Sequence, residues 1–126
     1  MVPAVLDELE RFVQALNREE DSIVLVEGKR DKKALQLLGV LLPVIYLGKF
    51  KLELLLEELA ESGAMLLLLF DLDEAGESLT RKAVSLCELL GIRYSLKYRQ
   101  WLRKLRIYRI EELFTVAQLL TDRAQR

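Results

Sequence analysis

Three acids stand where chemistry is possible. Glu27 closes the run SIVLVEG (residues 22–28), and Asp71 and Asp73 close the run AMLLLLFDLD (residues 64–73). The chain has no histidine and one cysteine, Cys87. Catalysis by an imidazole base, including Ser-His-Asp and Cys-His arrangements, is therefore excluded, and so are Cys/His zinc sites. Proton transfer falls to carboxylates, lysine, tyrosine or metal-bound water. Any metal must be held by oxygen, which points to Mg²⁺ or Mn²⁺. A single acid after a strand is commonly a helix cap or a solvated loop residue, and Asp31 and Glu77 fit helix starts in this way. Three acids at two strand ends of one sheet fit that explanation less well, because their charges repel unless a cation lies among them.

The elements that must position these acids follow from apolar spacing. Leu6, Leu9, Phe12, Val13 and Leu16 recur with helical period, which predicts a helix over residues 3–18 with Pro3 near its start. Residues 22–28 read as a buried parallel strand, and residues 31–38 as a helix stopped by Gly39. A second strand is expected at 43–47 and a crossover helix at 49–61. Leucine favours helix, but the run at 64–73 is short and lies between Gly63 and Gly76, so it reads as a central strand. In an extended backbone Asp71 and Asp73 share one side. A helix at 77–90 ends at Gly91, a fourth strand is expected at 92–98, and a short helix near 111–120.

Strands that alternate with helices imply parallel pairing and right-handed crossovers. The expected fold is α/β, a three-layer α/β/α domain with a mainly parallel, Rossmann-like sheet of about four strands. It spans residues 1–126 as one domain, with an N-terminal helix and a basic C-terminal extension over about 99–126. In such sheets ligands gather beyond the carboxyl ends of the strands, where the strand order switches. If the first and third strands are neighbours, Glu27 comes within reach of both aspartates.

Composition agrees with one folded domain. Of the 126 residues 52% are hydrophobic, which excludes wholesale disorder. The formal charge is -1, so a globally basic nucleic-acid binder is excluded, although a basic face is not. A lone cysteine forms no internal disulfide, and Cys87 falls on an apolar helix face as a structural thiol. No run reaches the ~20 apolar residues of a membrane span, and the acidic, amphipathic start is unlike a signal peptide. The expected location is the cytoplasm.

Two motifs resemble those of a known family. EGKRD (residues 27–31) after a hydrophobic strand is similar to the Glu-Gly-x-x-Asp motif of Toprim domains, and DLDEAG (residues 71–76) is similar to their Asp-x-Asp-x-x-Gly motif. Toprim domains are catalytic modules of bacterial-type primases, topoisomerases and some nucleases. The resemblance covers about residues 22–98, and the length suits small stand-alone Toprim proteins. It implies that Glu27 is the general acid/base and also a metal ligand, with Asp71 and Asp73 coordinating Mg²⁺ (or Mn²⁺). It implies tight turns at Gly28 and Gly76 that let backbone approach phosphate, and a supporting role for Asp31. Arg81 and Lys82 lie past the metal loop, where they could meet a phosphate. Nothing matches the strand-passage domains of topoisomerases or the zinc-binding domain of primases, so nuclease-like or primase-like phosphoryl transfer is the implied activity. LLLLFDLD also resembles the first motif of haloacid-dehalogenase-type phosphatases, but Ala75 stands where that family usually has Thr or Val, and no later acidic pair follows a strand. A receiver domain fits less well, since its acid pair would follow the first strand.

Charge is unevenly spread. Residues 93–109 hold Arg93, Lys97, Arg99, Arg103, Lys104, Arg106 and Arg109 and no acid, with Tyr94, Tyr98, Trp101 and Tyr108 among them. Basic groups contact phosphates and exposed aromatics stack on unpaired bases. The plainer alternative is a solvated face with Trp101 and Tyr108 turned inward. Lys29, Arg30, Lys32 and Lys33 form a second cluster beside Glu27. The expected partner is nucleic acid, RNA or DNA, with no membrane. The expected contacts are Lys29, Arg30, Arg81, Lys82, Arg99, Arg103, Lys104 and Arg106. The alternative function is a non-catalytic RNA/DNA-binding module.

Overall fold

A computed structural model describes residues 3–124. The chain begins with helix α1 (Pro3–Asn17), whose Leu9, Phe12 and Leu16 are fully buried. Strand β1 (Ser22–Val26) follows, then helix α2 (Lys29–Leu38), strand β2 (Val44–Tyr46) and helix α3 (Leu52–Ala60). Strand β3 (Met65–Leu68) leads into helix α4 (Glu74–Leu90). Strand β4 (Tyr94–Ser95) and helix α5 (Lys97–Lys104) come next. A 3-10 turn (Ile110–Glu112) runs directly into helix α6 (Leu113–Ala124).

The four strands are parallel, in the order β2-β1-β3-β4. Val24 pairs with Val44 on one side and with Leu67 on the other. Period-2 alternation then sorts the core into two layers. Val24, Val26, Leu67 and Leu69 pack under α1, α2, α5 and α6, while Leu25, Leu66, Leu68 and Phe70 pack under α3 and α4. Both faces are covered, which is why these strands read as continuous apolar runs. The three-layer α/β/α expectation holds, and β1 and β3 are neighbours.

Two expectations need correction. The third strand ends at Leu68, so Asp71 and Asp73 are not on extended strand: Asp71 lies in the connecting loop and Asp73 is the N-cap of α4. The fourth strand is only two residues long, and residues 97–104 form α5 instead. Tyr98, Leu102 and the partly buried Trp101 give α5 a helical apolar face, and they pack on Phe12 with ring centroids 5.7 Å (Tyr98) and 5.6 Å (Trp101) away.

Candidate functional site

The site begins where β1 and β3 part. Leu69 N–H donates to the Leu25 carbonyl, continuing the ladder. The next parallel bond would run from Asp71 N–H to the Glu27 carbonyl. That carbonyl instead accepts from Gly48 N–H beyond β2, and Asp71 N–H donates to Glu27 Oε1 at 3.0 Å. The glutamate side chain thus closes the gap where the strands splay. This is the switch point of the sheet, since β1 is followed by a crossover to one side and β3 lies on the other.

The remaining acids are held around that gap. Asp31, at the third position of α2, accepts from Gly28 N–H at 3.0 Å and is buried. It is not the N-cap that its position suggested: Gly28 is, and Asp31 closes the cap from within. Asp71 Oδ1 accepts from Ile110 N–H at 2.8 Å. Asp73 Oδ1 caps α4 by accepting from Gly76 N–H at 2.8 Å. Each of these bonds engages one oxygen of a two-oxygen carboxylate.

The charges act on one another. Burial raises the Glu27 carboxyl above its usual range, the Asp71 N–H opposes this, and the charges of Asp71, Asp73 and Asp31 add to the rise. Burial likewise raises Asp71; the Ile110 N–H and Arg109 oppose, while Asp73 and Glu111 add. Asp31 is pushed up to about 6, chiefly by burial and then by Asp71. Glu27, Asp31, Asp71 and Asp73 therefore share one electrostatic neighbourhood. They do not form a ready-made cage, because among the described residues no three acidic or sulfur ligands are gathered closely enough to hold an ion. Each is tethered to a backbone N–H. The donor set is still all oxygen and mutually repulsive. That fits Mg²⁺, which keeps several waters and takes one or two carboxylates, better than a cation needing a full protein shell.

The supporting glycines differ from one another. A Cβ on Gly76 would lie 1.8 Å from the Asp71 carbonyl oxygen, so the first turn of α4 presses on the loop that bears the acids. Its close approach is to this chain's own backbone rather than to a phosphate. Gly28 has φ -132°, ordinary extended backbone, and a Cβ there would have room. No tight turn demands glycine at that position.

The basic residues fall into three groups. Arg99 is the clearest correction: it is buried, with Nε donating to the Phe70 carbonyl at 3.0 Å and Nη2 to the Asp71 carbonyl at 2.8 Å. It also pairs with Glu77 at 3.0 Å. It therefore holds the acid-bearing loop and is not open to a nucleic acid. Arg103 also pairs with Glu77, and Lys82 pairs with Glu53 at 2.7 Å, so both are exposed but engaged. Arg81 and Arg103 line a groove between α4 and α5, and Arg30 and Lys33 line another between α2 and the start of α6. Lys29, Lys104 and Arg106 are exposed. The aromatic expectation divides: Tyr98 is buried and Trp101 donates to Glu8, whereas Tyr108 is exposed.

Two residues escaped the sequence reading of the site. Ile110 supplies the N–H that Asp71 accepts, and Arg109 Nη2 stands 3.9 Å from Asp73 Oδ2. The only signal was their place at the end of the basic segment.

No family model matches the chain. A protein of Thermococcus sibiricus, named a UPF0292 protein, is 36% identical over 112 residues, which cover 84% of this chain and 85% of the relative. The chain belongs to the UPF0292 family. A further member, from Pyrococcus horikoshii, is 32% identical over 117 residues, covering 88% of this chain and 87% of its own. A solved structure of a protein from Aquifex aeolicus matches with a TM-score of 0.76 at 32% identity, covering 82% of this chain and 96% of that one. That likeness extends the three-layer architecture beyond this family member. Among the described residues no helix is long and apolar enough to cross a membrane.

Proposed function

We propose that this UPF0292 member is a stand-alone Toprim-type domain that carries out Mg²⁺-dependent phosphodiester chemistry on a nucleic acid in the cytoplasm. The observation that carries the reading is the bond from Asp71 N–H to Glu27 Oε1 at 3.0 Å, which ties both motif-bearing strand ends at the switch point. Asp71 and Asp73 would hold the ion, with Glu27 within reach of it. A bound Mg²⁺ (or Mn²⁺) would polarise a phosphoryl oxygen and stabilise the leaving oxygen. Glu27 Oε1 is engaged by the Asp71 N–H, so Oε2 is the oxygen that exchanges a proton with the substrate. In the ion-free protein burial raises this carboxyl above its usual range, and the neighbouring acids add to the rise. Asp31 keeps Gly28 and the start of α2 against the site.

The test is hydrolysis of end-labelled single- and double-stranded RNA and DNA with and without Mg²⁺. Glu27→Gln and Asp71→Asn are expected to lower cleavage at least a hundredfold with unchanged melting curves. Full activity in both variants rejects the reading. A second reading, a non-catalytic nucleic-acid-binding module, is favoured by exposed Arg81, Lys104 and Arg106. Charge reversal at Arg103 and Lys104 would then abolish binding while Asp71→Asn left it intact.

A further inference from the structure

We propose that Arg109 is the residue that receives the substrate phosphate at the carboxylate site, making the C-terminal segment part of that site. The inference rests on the phosphodiester reading above. Two hydrogen bonds bracket Arg109: Leu72 N–H donates to the Tyr108 carbonyl at 2.6 Å, and Ile110 N–H donates to the Asp71 side chain, Oδ1, at 2.8 Å. The residues on both sides are therefore pinned to the acid-bearing loop. The side chain between them is presented at Asp73, with Nη2 3.9 Å from Oδ2.

That separation is too long for a hydrogen bond, and the side chain is 58% exposed. A pair of this kind adds little to stability. Arg99 shows the contrast. It is 5% exposed, and its guanidinium donates at 2.8–3.0 Å to two carbonyls and Glu77. One arginine is consumed by the fold, and the other is largely exposed beside Asp73. A guanidinium fork matches two phosphate oxygens, which a point-like ammonium does not. A cation fixed beside Asp73 also opposes a divalent ion bound there, until an anionic phosphate arrives between them.

This arrangement makes opposed predictions for ion and substrate. Mn²⁺ affinity is read by paramagnetic resonance titration. Strand affinity is read by anisotropy of fluorescein-labelled 12-nucleotide single strands, DNA and RNA in separate arms, with Ca²⁺ present. Arg109→Ala is expected to weaken strand binding about tenfold or more and to lower the slope of log Kd against log salt by about one. Its Mn²⁺ affinity stays level or tightens. Arg109→Lys restores the salt slope but only part of the affinity. Strand binding within twofold of the parent in Arg109→Ala overturns the proposal, as does loss of Mn²⁺ affinity together with a lowered melting temperature. If the parent protein binds neither strand, Arg109 has no phosphate to receive and the proposal falls. Absence of Mn²⁺ binding by the parent overturns the carboxylate reading itself, so the two failures are distinguishable.

Discussion

Asp31 has its proton affinity raised most clearly among the acids of the site. Its carboxyl is buried and faces the charges of Asp71 and Glu111, and only the Gly28 N–H favours ionisation. Its pKa moves from 3.8 to about 6 on folding. Between those values the native state binds more protons than the unfolded chain, so this group's contribution to stability is full below pH 3.8 and is lost as pH rises through 6. At neutral pH the deficit is at most about 3 kcal/mol. Asp31→Asn can still accept from Gly28 N–H but carries no charge. The variant is expected to gain stability over the parent progressively from pH 4 to pH 7 in metal-free buffer, followed by thermal melting. A difference that is flat with pH means that Asp31 ionises as freely in the fold as outside it. Gly76 makes a steric case at the same scale. Gly76→Ala puts a methyl 1.8 Å from the Asp71 carbonyl oxygen, backbone that cannot yield without moving the acids. A loss of about 3 kcal/mol or more is expected in denaturant titration, together with weaker Mn²⁺ binding.

Among the elements, α5 separates what spacing reveals from what only contact reveals. The central strands were legible because a parallel strand covered on both faces is built of apolar residues, as residues 23–26 of β1 and all of β3 are. The acids at their ends were legible because no packing rule asks for charge there. Residues 93–104 were not, since RYSLKY alternates well enough to imitate a strand while Tyr98, Trp101 and Leu102 form a helical face. Arg99 was hidden for a further reason. A sequence counts cations as solvated, and the carbonyls of Phe70 and Asp71 that desolvate this one lie far away in the chain. The end of α5 carries its own test. Arg106 adopts φ 59°; its N–H donates to the Arg103 carbonyl and Ile107 N–H to that of Leu102, a left-handed helix stop usually filled by glycine. Arg106→Gly is expected to stabilise the fold by about 1 kcal/mol, measured by chemical denaturation. If Arg106 also meets a phosphate, the same variant weakens strand binding while it stabilises the protein. A destabilised variant means that the arginine side chain holds the end of α5.

For the whole molecule, the sheet places like charges together at one rim while the net charge stays at -1. Folding therefore brings Glu27, Asp31, Asp71 and Asp73 into mutual repulsion that the unfolded chain lacks. An ion that binds only the folded state returns that energy as stability, by RT ln(1 + [L]/Kd). At Mg²⁺ a hundredfold above its dissociation constant the gain is about 2.7 kcal/mol, and for a chain of this size that is a rise of roughly 5–15 °C in melting temperature. Screening alone gives a smaller effect that K⁺ at matched ionic strength reproduces. The expected result is a saturable rise with Mg²⁺ or Mn²⁺ that K⁺ does not give. It disappears in Asp71→Asn and persists in Arg103→Ala, whose ion-pair partner is Glu77 rather than one of these four acids. If Mg²⁺ and K⁺ act alike, the rim is merely a charged surface. In that case Glu27 closes the splay between β1 and β3 as a structural hydrogen-bond acceptor and nothing more.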